Sequence, residues 1–128
     1  MKLLLDTHVL LWAAAEPRKL SKKARALLSG AEADLYFSAV SLWEIAIKNA
    51  LERPDFHVDP GALRRASLDN GRLELPMTGA HAVAVAALPP IHKDPFDRAL
   101  VAQASFEAMI LVTADPVVAD YPGSIILV

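Results

Sequence analysis

The chain lacks several features that define common functional classes. None of its 128 residues is cysteine, which excludes disulfides, thiolate metal sites and cysteine nucleophiles. Neither sign of charge dominates. The net charge of −2 and the pI near 6.0 provide no general attraction to nucleic acid, so a bound polyanion would need local basic patches or a metal ion. No apolar run approaches the ~20 residues that cross a bilayer, and we expect no association with a membrane.

The apolar start of the chain superficially resembles a secretory signal. The segment LLLDTHVLLWAAA follows Met1 and Lys2 and ends in small residues. Asp6 and His8 interrupt it, which leaves no clean apolar run of about 7–15 residues. We therefore expect no signal peptide, and the absence of cysteine fits a cytoplasmic protein.

The composition, with 54% hydrophobic and 22% charged residues, is typical of a globular protein, and we predict one domain over residues 1–128. Short apolar runs alternate with segments of helical pattern. The predicted strands are 2–5, 35–38, 73–75, 109–112 and 124–128. The predicted helices are 7–15, 22–30, 41–51 (ended by Pro54), 60–71, 79–88, 95–108 and a short turn after Asp115-Pro116. This alternation predicts an α/β fold with a parallel sheet covered on both faces.

Four carboxylates lie just beyond the ends of separate apolar runs: Asp6, Glu44, Asp97 and Asp115. Ligands of open parallel sheets bind beyond the carboxyl ends of the strands, where these acids are expected to converge. Two unit charges ~4 Å apart repel by about 4 kcal/mol at an effective dielectric constant of ~20. The pattern therefore predicts a site for a hard divalent metal ion.

Each acid also has a structural interpretation as a helix cap. Ser41 and Glu44 form an S-x-x-E capping-box pattern, and Asp94 precedes Pro95 as an N-cap followed by proline. Asp6 and Asp115 each precede a helical start. Serine, threonine and asparagine cap helices about as well as aspartate, and the other predicted starts show that mixture, at Ser21, Asp59 and Thr78. Four acids in these places are more than capping requires, although capping and metal binding can coexist.

The remaining candidate residues favour structural roles. The four histidines (His8, His57, His81 and His92) have no zinc-site spacing, and His8 and His92 are of interest because each lies near a candidate acid. Trp12 and Trp43 occupy helical positions that predict core packing. The Ala- and Val-rich helix 79–88 is expected either to be buried or to form the face of a homodimer.

Four blocks of the sequence resemble the PIN-domain family, and within it the VapC-type toxins of bacterial toxin–antitoxin pairs. They are LLLDTHVLLW, SAVSLWEIAIK, HKDPFDRALVAQA and LVTADP, and their order and spacing match over essentially the whole chain. The resemblance implies a three-layer α/β/α fold around a five-stranded parallel sheet in the order 3-2-1-4-5. It also implies a Mg²⁺- or Mn²⁺-dependent endoribonuclease that cleaves RNA, forms a homodimer and is neutralised by a cognate VapB-type antitoxin.

The same resemblance suggests roles for individual residues. Asp6, Glu44, Asp97 and Asp115 would be the catalytic, metal-binding acids, with Asp115 at the family's most variable position. Asp94 matches a feature of one subgroup and is a possible accessory acid. The hydroxyls of Thr7, Ser38 and Thr113 would line the site. Apart from the resemblance, the basic residues Arg98, Lys48 and Lys93 are candidate contacts to the RNA backbone, and each taken alone is also explained as a solvated surface charge.

Two other classes of protein fit parts of the pattern. A receiver-like phosphoacceptor module also clusters aspartates around Mg²⁺, but it needs a lysine at the end of the last strand, where 124–128 has none. A non-catalytic interaction domain would use the acids as caps alone. A phosphatase of the haloacid dehalogenase type would need a second aspartate in the opening D-x-D, where this chain has Asp6-Thr7-His8.

Overall fold

The computed structural model describes residues 1–51 and 57–128. Its five strands form one sheet in the order β3-β2-β1-β4-β5, and every neighbouring pair is parallel. The strands are β1 (Lys2–Leu5), β2 (Asp34–Ser38), β3 (Leu73–Leu75), β4 (Ile110–Thr113) and β5 (Ile125–Leu127). The predicted α/β class and the 3-2-1-4-5 order are thereby confirmed. Leu5 pairs with Phe37 on one side and Val112 on the other, so β1 is central.

Seven α-helices surround the sheet in the described parts of the chain. They are α1 (Thr7–Ala15), α2 (Lys22–Leu28), α3 (Ala39–Ala50), α4 (Pro60–Asp69), α5 (Gly79–Ala84), α6 (Pro95–Phe106) and α7 (Pro116–Ala119). Two 3₁₀ turns, Pro17–Lys19 and Val85–Ala87, follow α1 and α5. Within residues 1–51 and 57–128, no helix combines the length and the apolar character needed to cross a membrane.

The core has two halves because neighbouring strand residues point to opposite faces of the sheet. Leu4 and Leu111 face one side, where they pack with α6 and α7. Leu3, Leu5 and Val112 face the other side, where they pack with α1 and α4. All five of these side chains are fully buried. The result is a three-layer α/β/α arrangement with the sheet in the middle.

Most helix starts lie where the sequence predicts them. Ser21, Asp59, Thr78 and Asp94 each accept a hydrogen bond from the first turn of the helix that follows. The predicted capping box in the third helix is wrong. Ser38 at the end of β2 caps α3 by accepting from Val40 N, so Ser41 and Glu44 lie inside the helix. Pro54, expected to end this helix, lies outside the described residues.

Helix α5 and Trp43 depart from expectation. The predicted helix 79–88 ends as an α-helix at Ala84 and continues as a 3₁₀ turn. Val83 is 76% exposed, so burial of this segment against its own sheet is wrong. Trp43 was predicted to lie in the core but is 58% exposed, its ring meeting that of Phe96 edge-on with 4.9 Å between centroids.

The turn between α6 and β4 places a non-glycine residue in left-handed backbone geometry. Ala108 has φ +55°, and the next amide, Met109 N, donates to Ala104 O at 2.9 Å. This is the hydrogen-bond pattern with which helices commonly end at glycine. This turn joins the end of α6 at Phe106 to the start of β4 at Ile110.

Candidate metal centre

The predicted acids lie at the carboxyl ends of the central strands or in the helices that start there. Asp6 follows β1 directly, and Asp115 follows the adjacent β4 by two residues. Glu44 lies in the second turn of α3, which leaves β2, and Asp97 lies in the first turn of α6. Because neighbouring parallel strands end at the same edge, the topology brings these residues to one region.

Asp6 is held by hydrogen bonds to both of its carboxylate oxygens. Oδ1 accepts from Val9 N at 2.9 Å and caps α1, while Oδ2 accepts from the Thr113 hydroxyl at 2.6 Å. The side chain is 4% exposed. Burial raises the pKa of Asp6 above its ordinary value despite the opposing effect of these two hydrogen bonds. The carboxylate is therefore rigidly placed and costly to ionise in the absence of a cation.

Glu44 is equally buried and is held by residues from two helices. Its Oε1 accepts from the Thr7 hydroxyl at 2.7 Å, and its Oε2 pairs with the ammonium of Lys48 one turn along α3. Ser41 Oγ lies 2.9 Å from Thr7 Oγ1. Since Thr7 has one hydroxyl proton and donates it to the carboxylate, Ser41 is the donor in that second contact. Lys48, a candidate RNA contact, is thus engaged with Glu44.

The pKa of Asp97 is affected by the charges of the other acids. Its pKa is raised to about 7, first by burial and then by repulsion from Asp94, Glu44 and Asp6, with His92 acting in the opposite direction. Such mutual repulsion requires the carboxylates to share one low-dielectric region. Three of the four predicted acids therefore form one electrostatic cluster around Asp97.

Asp115 and His92 complete the tightest part of this cluster. His92 Nε2 lies 3.1 Å from Asp97 Oδ2 and 3.4 Å from Asp115 Oδ2. Among the described residues, the ligand atoms of these three side chains all lie within 4.8 Å of one another, a spacing that one metal ion spans. Asp6 and Glu44 do not belong to that tight group and join the site at longer range.

The predicted accessory residues divide into two sets. Thr7 and Thr113 donate to Glu44 and Asp6 as described, so both hydroxyls do line the site. Ser38 instead donates to buried Gln103 at 2.6 Å and caps α3. Asp94 caps α6 through Oδ1, at 2.8 Å from Phe96 N and 3.2 Å from Asp97 N.

The two other basic candidates, Arg98 and Lys93, differ from Lys48, whose ammonium pairs with Glu44. The Arg98 guanidinium donates to Pro89 O and to the Tyr121 hydroxyl, both at 3.0 Å, and to Val85 O at 3.3 Å. It therefore holds the segment before α6 in place and is directed toward carbonyl groups. Lys93 is exposed.

Sequence reasoning missed several residues that shape the site. His92 was singled out only for its acidic neighbours, and its contacts with Asp97 and Asp115 arise from packing of α6 beside β4. Tyr121 accepts from His92 N at 2.8 Å and so positions that residue. Ser41, predicted to be a cap, instead supports Thr7. None of these contacts has a spacing signal, because each joins different segments of the chain.

A groove of about 350 Å³ opens beside the acids. Asp6 and Asp115 form its polar side, and His8, Trp12, Ala114 and Pro116 form the rest of it. A larger cavity of about 440 Å³ lies between α5 and α6, but it is lined mainly by alanine, proline and other apolar residues and has no acid. The smaller groove is the one that reaches Asp6 and Asp115.

The donor set fits a hard divalent cation. Carboxylate oxygens are the ligands that Mg²⁺ and Mn²⁺ prefer in proteins. Burial of Asp6 and repulsion at Asp97 raise the pKa of each carboxyl, so the charged forms are costly, and a bound cation offsets that cost. The residues of this site therefore match the chemistry of such an ion on structural grounds.

A parallel sheet in this order, with buried acids at the carboxyl ends of its central strands, defines an α/β/α protein with an acidic, cation-compatible site. The model of the PIN domain matches residues 3–123, and the chain belongs to the PIN-domain family. A search among curated proteins gave no match.

Solved structures share the fold at low sequence identity. The chain is similar to VapBC2 from Rickettsia felis bound to a DNA fragment from their promoter, with 15% identity, a TM-score of 0.69, and coverage of 100% of this chain and 98% of the other. It is similar to a toxin–antitoxin complex from Klebsiella pneumoniae, with 16% identity, a TM-score of 0.64, and coverage of 97% of this chain and 95% of the other. It is also similar to FitAcB from Neisseria gonorrhoeae, with 20% identity, a TM-score of 0.61, and coverage of 96% of this chain and 95% of the other.

Proposed function

We propose that the protein is a metal-dependent endoribonuclease of the VapC type, neutralised by a cognate antitoxin. The observation that carries the proposal is the grouping of acids at one edge of the sheet. Among the described residues, ligand atoms of Asp97, Asp115 and His92 lie within 4.8 Å of one another, and burial together with the nearby Asp94, Glu44 and Asp6 raises the pKa of Asp97 to about 7. A fold that concentrates buried acids in this way has a use for a divalent cation. A protein whose acids served only as caps would not need to bury and cluster them.

Asp6, Glu44, Asp97 and Asp115 are the proposed metal-binding residues, and Mg²⁺ or Mn²⁺ is the proposed ion. When bound, such an ion supplies an activated water and neutralises charge on a phosphodiester. The surrounding side chains fix the acids. Thr113 and Thr7 each donate to one carboxylate, and Lys48 balances part of the charge of Glu44. These fixed partners keep the oxygens oriented before substrate arrives.

RNA is the proposed substrate, supported by the resemblance of the four sequence blocks to VapC-type toxins. A chain with a net charge of −2 has little general attraction for a polyanion. The bound cation offsets the acidic groove locally. Exposed Lys93 is placed close in sequence to Asp94 and Asp97 and is a candidate phosphate contact.

The proposed partners follow from two further observations. Two of the similar structures are described as VapBC2 and as a toxin–antitoxin complex, which supports an antitoxin as the partner of this chain. The exposed apolar face of α5, led by Val83, supports a homodimer, since such a surface is costly to leave in water. A cytoplasmic site of action accords with an RNA substrate.

The test is cleavage of total RNA by the purified chain with Mg²⁺, with Mn²⁺ and with EDTA, followed by mapping of the cut ends. Asp6→Asn should abolish cleavage while keeping the fold, because asparagine can still cap α1 through its amide oxygen. Asp59→Asn makes the same chemical change at an exposed cap outside the site and should retain wild-type activity. Full activity of Asp6→Asn, or activity in EDTA, would refute the assignment.

A further inference from the structure

Trp12 is a large aromatic side chain that the core does not use. It lies on α1, where the neighbouring Leu11 and Ala14 pack against the apolar cluster on one face of the sheet. Among the residues that the structure describes, Trp12 belongs to neither of the two core clusters, and its side chain is only partly buried. An indole is the largest apolar group a protein has, so one that stays partly in water is available to a ligand.

Trp12 lines two cavities that adjoin each other. The first, of about 350 Å³, has Asp6 and Asp115 on its other side. The second, of about 290 Å³, shares His8 and Trp12 with the first and extends along α1, where its further lining includes Glu16, Lys19 and His57. The two cavities together form one groove, the α1 groove, which begins at the acids and passes the indole.

The indole lies close to the acids along this groove and has an uncovered face. An α-helix rises 1.5 Å per residue, so Trp12 lies roughly 8 Å along α1 from Thr7, the residue that follows Asp6. His8 is one turn away on the same face of the helix. The two rings are 6.0 Å apart between centroids and inclined at 46°, so the imidazole is tilted against the indole and is not stacked on it.

We propose that Trp12 is the stacking surface for an unpaired base of single-stranded RNA whose phosphodiester lies at the acids. This inference rests on the proposed function and names how its substrate is held. Aromatic side chains stack any base, because every base has a π-face, and only an unpaired base can be turned out to reach such a ring. Trp12 would therefore bind one base within the α1 groove and give little preference for sequence.

The charges of the groove favour stacking over contacts to phosphate groups. The chain has a net charge of −2, and the ammonium of Lys19, in the far part of the groove, already pairs with Glu16 at 3.0 Å. Neither provides strong attraction for a polyanion. Stacking does not depend on charge and contributes about 1–3 kcal/mol per base, which supplies the anchor that these charges do not.

The first test separates binding of the base from the state of the metal centre. Asp6 and Glu44 are held by Thr113 and Thr7, so a change at Trp12 leaves their hydrogen bonds intact. Trp12→Leu keeps an apolar side chain without a ring, and it should raise the KM for single-stranded RNA by about 5- to 150-fold. The value of kcat and the affinity for Mn²⁺ by calorimetry should stay at the wild-type level, as expected for loss of uniform binding.

Two further variants serve as controls in that test. Trp12→Phe retains a ring and should have a KM much closer to wild type than Trp12→Leu has. Trp43→Leu makes the same substitution at a tryptophan on α3 that is 58% exposed and does not line the groove, and it should keep the wild-type KM. Circular dichroism confirms that each variant is folded.

A second test observes the contact in a chain that retains Trp12. The sequence has two tryptophans, so Trp12 is the only one left in Trp43→Leu. Stopped-flow mixing with Mg²⁺ and a single-stranded RNA of about eight nucleotides should quench its fluorescence before any cleavage. The same RNA annealed to its complement should leave the fluorescence unchanged, and so should a strand of equal length without bases.

Several results would overturn the proposal. They are an unchanged KM in Trp12→Leu, an equal KM in the leucine and phenylalanine variants, and equal quenching by the strand without bases. Quenching by a peptide of alternating arginine and leucine, with none by RNA, would assign the groove to a protein partner and overturn it as well. Absence of RNA cleavage by the wild type would refute the proposed function, whereas quenching of Trp12 by single-stranded RNA alone would still support the stacking contact.

Discussion

Thr113 donates its hydroxyl proton to Asp6 across 107 residues of sequence, at 2.6 Å and in full burial. The two residues end adjacent parallel strands, so the bond joins the termini of β1 and β4. The same Thr113 oxygen accepts from Asp115 N at 3.0 Å. One hydroxyl thereby organises two of the four proposed metal-binding acids.

Thr113→Val tests this link, because valine keeps the shape and removes the hydroxyl. We expect about 1.5–3 kcal/mol less stability, typical for loss of a hydrogen bond to a charged group, and at least tenfold slower RNA cleavage. Chemical denaturation and cleavage rates measure the two effects. Thr113→Ser, which retains the donor, should lie close to wild type. Equal behaviour of the valine and serine variants would show that the hydroxyl has no such role.

The metal-free protein should lose stability as the pH rises through about 7. Asp97 has a folded pKa of about 7, above the value near 3.9 of an unfolded aspartate, so the folded chain binds more protons between these pH values. Its stabilising contribution is present below about pH 4 and is lost as pH rises through the folded pKa. Buried Asp6 acts in the same direction. Urea unfolding in EDTA from pH 5 to 8.5 measures the slope.

Asp97→Asn removes the Asp97 part of this dependence. We expect the variant to be more stable than wild type at pH 8 in EDTA, with a shallower decline between pH 5 and 8. Asp59→Asn, at an exposed cap, should follow the wild-type profile in parallel. A profile of Asp97→Asn that superimposes on wild type would contradict the repulsion inferred around Asp97.

Divalent metal should stabilise the fold by linkage. At a free Mn²⁺ concentration of 100 times the Kd, the gain is about 2.7 kcal/mol, or a rise in Tm of roughly 10 °C for a chain of this size. Scanning calorimetry with and without Mn²⁺ measures it. Asp6→Asn should remove most of the shift, and Asp59→Asn should keep it. An unchanged wild-type Tm would argue that the acids do not bind metal.

The proposed homodimer depends on the exposed face of α5. Val83 is 76% exposed, so Val83→Glu is compatible with the folded monomer and should disrupt association through that face. Light scattering should give a dimer for wild type and a monomer for this variant. Leu68→Glu, at a 40% exposed position on α4, is the matched control and should remain dimeric. A monomeric wild type would end the dimer proposal.

Ala108→Gly should stabilise the chain by about 0.5–1 kcal/mol. Alanine at φ +55° bears the steric cost of left-handed backbone geometry, whereas glycine adopts this geometry freely. Removal of that cost outweighs the larger conformational entropy that glycine has in the unfolded chain. Thermal unfolding measures the change, and RNA cleavage should be unaffected. A loss of stability would mean that the alanine side chain makes compensating contacts.

Local signals in the sequence predicted much of the fold because they act over a few residues. Asp59-Pro60 and Asp94-Pro95 each fix a helix start through one cap and one proline, and the structure has both starts where expected. Ser41 misled the prediction because S-x-x-E is also a local pattern. The actual start of α3 depends on where β2 ends, at Ser38. Local sequence patterns do not tell whether Ser38 or Ser41 is the N-cap of α3, because that depends on where β2 ends in the sheet.

The candidate site was predictable by residue type and less so by geometry. The four acids beyond four apolar runs were expected at the carboxyl edge of the sheet, and the structure places them there. The role of His92 was not accessible, because its partners lie 5 and 23 residues away and meet only after α6 packs beside β4. The exposure of Trp43 could not be predicted either, since helical spacing defines a face of the helix and does not tell which neighbour, if any, covers that face.

Asp6 and Asp115 both combine a backbone cap with a proposed ligand in a single side chain. Asparagine at either position preserves the cap and discards the negative charge. Such a change would therefore be compatible with the native backbone at the starts of α1 and α7. The stability that a bound cation adds to the fold would be lost together with the charge.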